Sequence, residues 1–316
     1  MKGRLFLLLC GMALCCDVAV GQWKAQSSGT SADFRGVSAA SARVVWASGS
    51  KGTYARTTDG GATWRAGVVP GAESLDFRDV QAVDANTAYL LNAGAPARIY
   101  KTTDGGKRWN LQYSNTTAGV FFDAMAFWDA EHGIAFSDPV GGSFLIITTE
   151  NGGATWKEVP RENIPPPLAG EAAFAASGTC LAVQGRDNAW FGTGGGAQSR
   201  VFRSTDRGRT WKVAETPIRS GNATNGIFSL AFRDARNGVA VGGDYQKTDE
   251  ASDNVARTTD GGATWTRGGR SEPPGLKEGV VYVPGTSTAA PTLIAVGPSG
   301  SGYSLDDGST WTRIDA

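Results

Sequence analysis

TTDGGATW at residues 57–64 recurs letter for letter at 258–265, among four near copies: TTDGGKRW (102–109), TENGGATW (149–156), STDRGRTW (204–211) and SLDDGSTW (304–311). The acid position falls at Asp59, Asp104, Asn151, Asp206, Asp260 and Asp306, at intervals of 45, 47, 55, 54 and 46 residues. A period of this length is that of one four-stranded propeller blade. Around the first copy the chain reads DFRGVSA, ARVVWASG, GTYARTT, the copy itself, then WRAGVV. Each piece has strand length, is rich in β-branched and aromatic residues, and ends at glycine or polar turns. The reading is all-β: a β-propeller of four-stranded blades.

Within each copy the acid can accept backbone N–H bonds inside its own turn. The glycines permit positive φ, and the tryptophan opens the next strand with a large apolar surface. Asn151 still accepts those bonds but cannot replace a catalytic carboxylate, so the six positions are expected to be structural.

The pattern [ST]-x-D-x-G-x-x-W resembles the Asp box, or BNR repeat, of sialidases, sortilin-type propellers and photosystem II assembly-factor-like proteins. The resemblance runs over nearly the whole chain after its first residues. It implies that the box joins the third and fourth strands of each blade, on the face opposite the ligand site. Sialidases also carry an Arg-Ile-Pro segment; here Arg98-Ile99-Tyr100 precedes a box and reads as third strand.

Residues 1–21 read as a secretion signal. Lys2 and Arg4 precede an apolar run from Leu5 to Cys16, and Ala19-Val20-Gly21 offers small residues for cleavage before Gln22. About twelve apolar residues are too few to span ~30 Å of hydrocarbon. A lipoprotein is the lesser alternative, because neither Cys15 nor Cys16 follows a small residue. The expected domains are therefore 1–21, signal, and 22–316, propeller, secreted or periplasmic. Cleavage would leave Cys180 as the lone cysteine, without a disulfide framework. It would also leave 28 basic against 29 acidic residues, a balance that does not suggest a nucleic-acid partner.

Catalytic and cofactor motifs are sparse. His132, the single histidine, lies in DAEHG where the fifth repeat has DARNG, and reads as a turn residue. A histidine zinc site is excluded by count. Cys180 reads as a small buried hydrophobe. The glycine runs at 192–196 and 241–244 lack a phosphate-binding context, so no cofactor is expected. The acidic stretch 244–253 does not follow EF-hand spacing and reads as a solvated loop.

One alignment points to a candidate site. FRGVSA (34–39), FRDVQA (77–82), FDAMAF (122–127), TCLAVQ (179–184) and FSLAFR (228–233) superpose as innermost strands. Their second positions begin on the face opposite the boxes. Arg35, Arg78 and Asp123 would meet Asp138 and Asp244 from the second-to-third-strand connections, and Glu171 from the long stretch 160–178. These six charges form the candidate ligand mouth. The expected role is a binding or assembly module for a protein or carbohydrate, with a glycan-active hydrolase as the rival.

The blade count carries a further expectation. Trp23-Lys24-Ala25 resembles the strands that follow each box, yet no box precedes it. Six complete blades plus this orphan N-terminal strand suit a seven-bladed plan missing three strands; the alternative is a closed six-bladed ring with Trp23 outside. N-terminal sequencing of the exported protein should begin at Gln22, whereas an intact Met1 on a cytosolic protein would overturn the signal reading.

Overall fold

The structure, a computed structural model, describes residues 23–268, 275–286 and 291–314. It consists of six four-stranded antiparallel sheets arranged as blades, each with its strands in chain order. Blade one comprises β1 (Phe34–Ala39), β2 (Val45–Gly49), β3 (Thr53–Thr57) and β4 (Arg65–Val68). Blade two has β5 (Phe77–Ala82), β6 (Ala88–Asn92), β7 (Ala97–Thr102) and β8 (Asn110–Asn115). In blade three these are β9 (Phe122–Phe127), β10 (Gly133–Val140), β11 (Ser143–Thr149) and β12 (Lys157–Glu158). Blade four holds β13 (Leu181–Gln184), β14 (Asn188–Gly192), β15 (Arg200–Ser204) and β16 (Lys212–Glu215). Blade five follows with β17 (Asn225–Phe232), β18 (Gly238–Asp244), β19 (Val255–Thr258) and β20 (Thr266–Arg267). Blade six ends the chain with β21 (Gly279–Tyr282), β22 (Leu293–Gly297), β23 (Gly300–Ser304) and β24 (Thr312–Ile314). A single 3-10 turn, Arg161–Asn163, interrupts the strands of the described residues.

Each box is a self-contained hydrogen-bonded turn. The Thr57 hydroxyl accepts the Gly61 N–H at 2.9 Å and donates to Asp59 Oδ1 at 2.7 Å. Asp59 also takes the Thr63 N–H at 2.9 Å and its hydroxyl at 2.6 Å. Gly61 sits at φ 87, where a side chain is strained. Asn151 keeps this design: its Oδ1 accepts the Thr155 N–H at 2.9 Å, and its Nδ2 now donates to the Thr155 hydroxyl. The structural role expected of that position rests on these bonds.

The boxes also lock to the turn between the first two strands of their own blades, through Gly60 N–H to the Arg43 carbonyl, Gly105 to Asn86 and Gly261 to Arg236. Boxes and those turns therefore share one face. His132 lies in such a turn, its Nδ1 2.9 Å from Asp129.

Successive blades are clamped box to sheet. Tyr54 of blade one donates to the Gly106 carbonyl in the box of blade two at 2.7 Å. Tyr89 reaches Gly152 of blade three at 2.7 Å, and Trp190 reaches Gly261 of blade five at 2.8 Å. In blade six Asp307 replaces a box glycine and holds a left-handed φ of 57. Its carboxylate takes a bidentate grip from Arg233 of blade five, with the Tyr282 hydroxyl at 2.9 Å, which offsets the backbone cost. Apolar side chains fill the space between, as where Trp46 meets Phe77, Val80 and Leu90.

The orphan-strand expectation is corrected. Trp23-Lys24-Ala25 joins no sheet and Trp23 is exposed. Blade six carries its own fourth strand, β24, as the sequence implies, and the described residues form six four-stranded blades with no partial seventh, so the six-bladed alternative is the one observed. Instead Gln26 lies against Gly61, and its Oε1 accepts the Trp64 indole N–H at 2.7 Å.

Box tryptophans differ in burial: Trp211 is buried, whereas Trp64 is half-buried. Trp211→Ala should lower stability by about 3–5 kcal/mol, and Trp64→Ala by clearly less. Denaturant melts of both variants check this ordering.

Candidate functional site

Opposite the boxes, the chain between blades three and four crosses the propeller axis as a lid. Its residues 164–178 between them touch blades two to six. The Ala173 N–H donates to Asp138 at 2.8 Å, and Ala172 pairs with Gly194 of blade four. Phe174 stacks on Phe228 of blade five, with ring centroids 4.2 Å apart and planes 8° from parallel. The Ala175 carbonyl accepts from Arg78 of blade two at 3.2 Å, and the Ser177 hydroxyl donates to the Glu278 carbonyl of blade six at 2.7 Å.

A buried ion pair fixes the lid. Glu171 is bound through both oxygens by the Arg200 guanidinium and accepts the Thr193 hydroxyl at 2.6 Å and the Leu168 N–H at 2.7 Å. Arg200 also donates to the Pro166 carbonyl at 3.0 Å. Every polar atom of the carboxylate is satisfied, which is the condition for a buried charge to be tolerated. Glu171 is thus a structural anchor.

The lid turns most of the candidate mouth into interior. Asp123 is completely buried, with no hydrogen bond to either carboxylate oxygen. The nearby Asp138 N–H is committed to the Phe121 carbonyl. Asp138 is half-buried against the lid, and Asp244 is buried, accepting the Gln246 N–H at 2.9 Å. Arg78 is partly exposed and paired with Asp76 at 2.9 Å, while Arg35 stands exposed on blade one. Arg78, Asp123 and Asp138 share a neighbourhood; Glu171, Asp244 and Arg35 belong to separate settings.

Asp79 was missed in the sequence reading. It sits one residue after Arg78, at the place of Gly36 in blade one, and a change from glycine to aspartate there was the available signal. Its carboxylate is buried and accepts the Val80 and Met125 N–H groups, both at 2.7 Å. Burial pushes it up to about 7 against those two bonds. Burial likewise raises Asp138 to about 6. Asp123 is driven well above the usual carboxylate range by burial, then by the Asp138 charge. Cys180 lies in the same interior, fully buried, as expected of a small hydrophobe.

Around the lid, Tyr245 lies exposed against the Phe174–Phe228 stack, and the partly exposed Arg78, paired with Asp76, lies beside Ala175. Among the described residues no group of acids, histidines and cysteines is arranged to hold a metal.

Residues 16–119 match the family model described as photosynthesis system II assembly factor YCF48. This match joins the six boxes and six blades already described. The chain is an Asp-box, or BNR-repeat, β-propeller. Among curated proteins, this Asp-box propeller is 24% identical over 69% of its length to the chloroplastic photosystem II stability/assembly factor HCF136 of Arabidopsis thaliana. It is 28% identical over 63% of its length to the photosystem II assembly lipoprotein Ycf48 of Trichormus variabilis. The matches span 63% and 50% of those relatives. Its fold is shared with a structure of YCF48 bound to D1 peptide, at a TM-score of 0.62 and 17% identity over 94% of this chain and 85% of that one. A GH74 enzyme of Niastella koreensis aligns at 0.63 and 14% identity over 88% of this chain and 46% of that one. At such identities the likeness is one of fold. Among the described residues no helix is long and apolar enough to cross a membrane.

The raised acids of this propeller make its stability depend on pH. Asp79, Asp123 and Asp138 each have a folded pKa above the unfolded value. The folded chain therefore binds more protons than the unfolded one from about pH 4 upward, and stability falls as pH rises through about 7. The melting temperature should drop by several degrees between pH 5 and pH 8. Asp123→Ala should shrink that drop. Thermal melts across the pH series measure both.

Proposed function

We propose that this propeller is a non-catalytic, extracytoplasmic binding module that holds a segment of another polypeptide on its lidded face. The observation that carries the reading is the lid itself: one anchored segment converts the axis into a closed platform with Tyr245, Phe174 and Arg78 at its surface. An aromatic shelf beside a guanidinium suits a peptide, because rings supply area at low conformational cost and arginine supplies directed hydrogen bonds. Support comes also from the relatives, which are named as assembly factors, and from the fold neighbour solved with a peptide bound.

A glycan-active hydrolase requires two carboxyl groups flanking one bond, about 5–9 Å apart and open to substrate. The carboxylates on this face serve elsewhere: Glu171 holds Arg200, Asp138 holds the lid, and Asp123 lies in the interior. The charged-mouth expectation is narrowed accordingly, with Arg78 kept as a contact and Asp123 reassigned to the interior.

The experiment is a pull-down from exported proteins followed by titration of the recovered partner. Tyr245→Ala and Arg78→Ala should each weaken binding about tenfold, the scale of a lost charged hydrogen bond or aromatic contact, while the melting temperature holds. Arg236→Ala on the box face should bind normally. Equal affinity in all three variants, or turnover of chromogenic glycosides by the purified protein, would overturn the reading.

A further inference from the structure

The innermost strands of this propeller are tied to one another by side-chain acceptors. Asp79 of blade two takes the Met125 N–H of blade three at 2.7 Å, and Ser229 of blade five takes the Val280 N–H of blade six at 2.9 Å. Asp123 stands at the place of Ser229, by the match of FDAMAF to FSLAFR, and ties nothing. It is 0% exposed, and neither carboxylate oxygen has a hydrogen bond. An ionised carboxylate buried without a partner costs far more than the neutral acid, so this position suits a carboxyl that keeps its proton.

Two further acids lie under the lid and touch it. Asp138 accepts the Ala173 N–H at 2.8 Å. Asp79 lies against Gly178, where a Cβ would stand 2.1 Å from its Oδ1. All three acids share one interior: the Asp138 charge acts on Asp123, and all of them act on Cys180, just past Gly178. Counter-charge is thin there. Arg78 is the cation that acts on Asp123, and it is already paired with Asp76 and bonded to the Ala175 carbonyl. Farther along the lid, Glu171 is held by Arg200. Glu278 of blade six, whose carbonyl takes Ser177, is half-buried and raised by burial against the pull of Arg35.

We propose that the second half of the lid, residues 172–178, is a proton-operated cover, seated while the acids beneath it hold their protons and released as they ionise. Seated, it keeps Asp79 at about 7, Asp138 at about 6 and Asp123 well above the usual carboxylate range, in each case through burial first. Lifted, it admits water, and the three return toward an ordinary value of about 4. The seated form therefore binds more protons from about pH 4 upward. Its advantage is complete below that and is lost as pH rises through about 7. The Ala173 bond runs the other way, favouring ionised Asp138, but burial outweighs it.

This stretch yields before the blades because it is held more lightly. Its β pairing is the isolated bridge of Ala172 to Gly194, whereas the blade strands lie in four-stranded sheets. Glu171 stays with Arg200 and marks the fixed end. Phe174 belongs to the moving part, so release also takes its ring from Phe228 and unmakes the aromatic shelf. The switch is a property of the cover itself and is read with no partner present.

Hydrogen exchange of the full chain at pH 5 and pH 8, followed by mass spectrometry and corrected for the intrinsic acceleration by hydroxide, tests it. The Ala172 and Ala173 amides are the reporters, since both are bonded in the seated form. Their protection should fall at least tenfold from pH 5 to pH 8. At both values it should lie at least tenfold below that of β6 and β14, which marks a local opening and not unfolding of the chain. Asp123→Asn keeps the shape and never ionises, so it should shrink the fall at least threefold. Asp138→Asn, which retains an acceptor for Ala173, should do the same and decides the matter if the first variant lacks a cooperative melt. A merely structural role would lower protection equally at both pH values. Glu150→Gln, on the box face, should keep the full fall. Protection unchanged by pH, protection equal to that of the blade strands, or a full fall in both aspartate variants would each overturn the proposal. Its failure leaves the proposed function standing, and failure of the pull-down leaves the switch standing.

Discussion

A four-stranded sheet with apolar side chains on both faces needs a neighbour on each side, and the box turn is where each neighbour is held. The hydroxyl that opens the box fixes its own turn by accepting a glycine N–H, as Thr57 does from Gly61. That turn then presents carbonyls outward, where Tyr54, Tyr89 and Trp190 of preceding blades find acceptors. Local hydrogen bonding and inter-blade packing therefore meet at one structure, repeated six times. The lid and the buried acids depend on the common face that this repetition leaves opposite the boxes.

The parts of this arrangement that were legible in the sequence are those written locally. The box spells its turn in eight letters, and its recurrence sets blade length and strand order. Asn151 could be read as structural because its chemistry alone decides what it can do. Trp23-Lys24-Ala25 misled because resemblance to a fourth strand does not supply the three strands that a seventh blade would need to receive it. Asp123 and Asp138 were brought to the right face by register, but their burial was set by residues 164–178, whose path no periodicity encodes. Glu171 lost its candidacy to Arg200, a partner 29 residues away that becomes adjacent only when the lid folds over blade four.

The lid also separates this chain's chemistry from what its fold alone would permit. Propellers place convergent loops at one end of the axis, where enzymes and binding proteins alike build their sites. Here the segment between blades three and four fills that end with backbone and small residues. It satisfies Asp138 and Glu171 and leaves an aromatic and arginine surface above them.

Cys180 lies at the end of the lid, behind Gly178 and beside the buried aspartates, with its thiol sealed from solvent. Burial first, and then the neighbouring acids, hold that thiol far from its reactive thiolate form. It is also the sole cysteine after residue 16. A thiol-specific reagent would therefore report any opening of the structure that bares this single position.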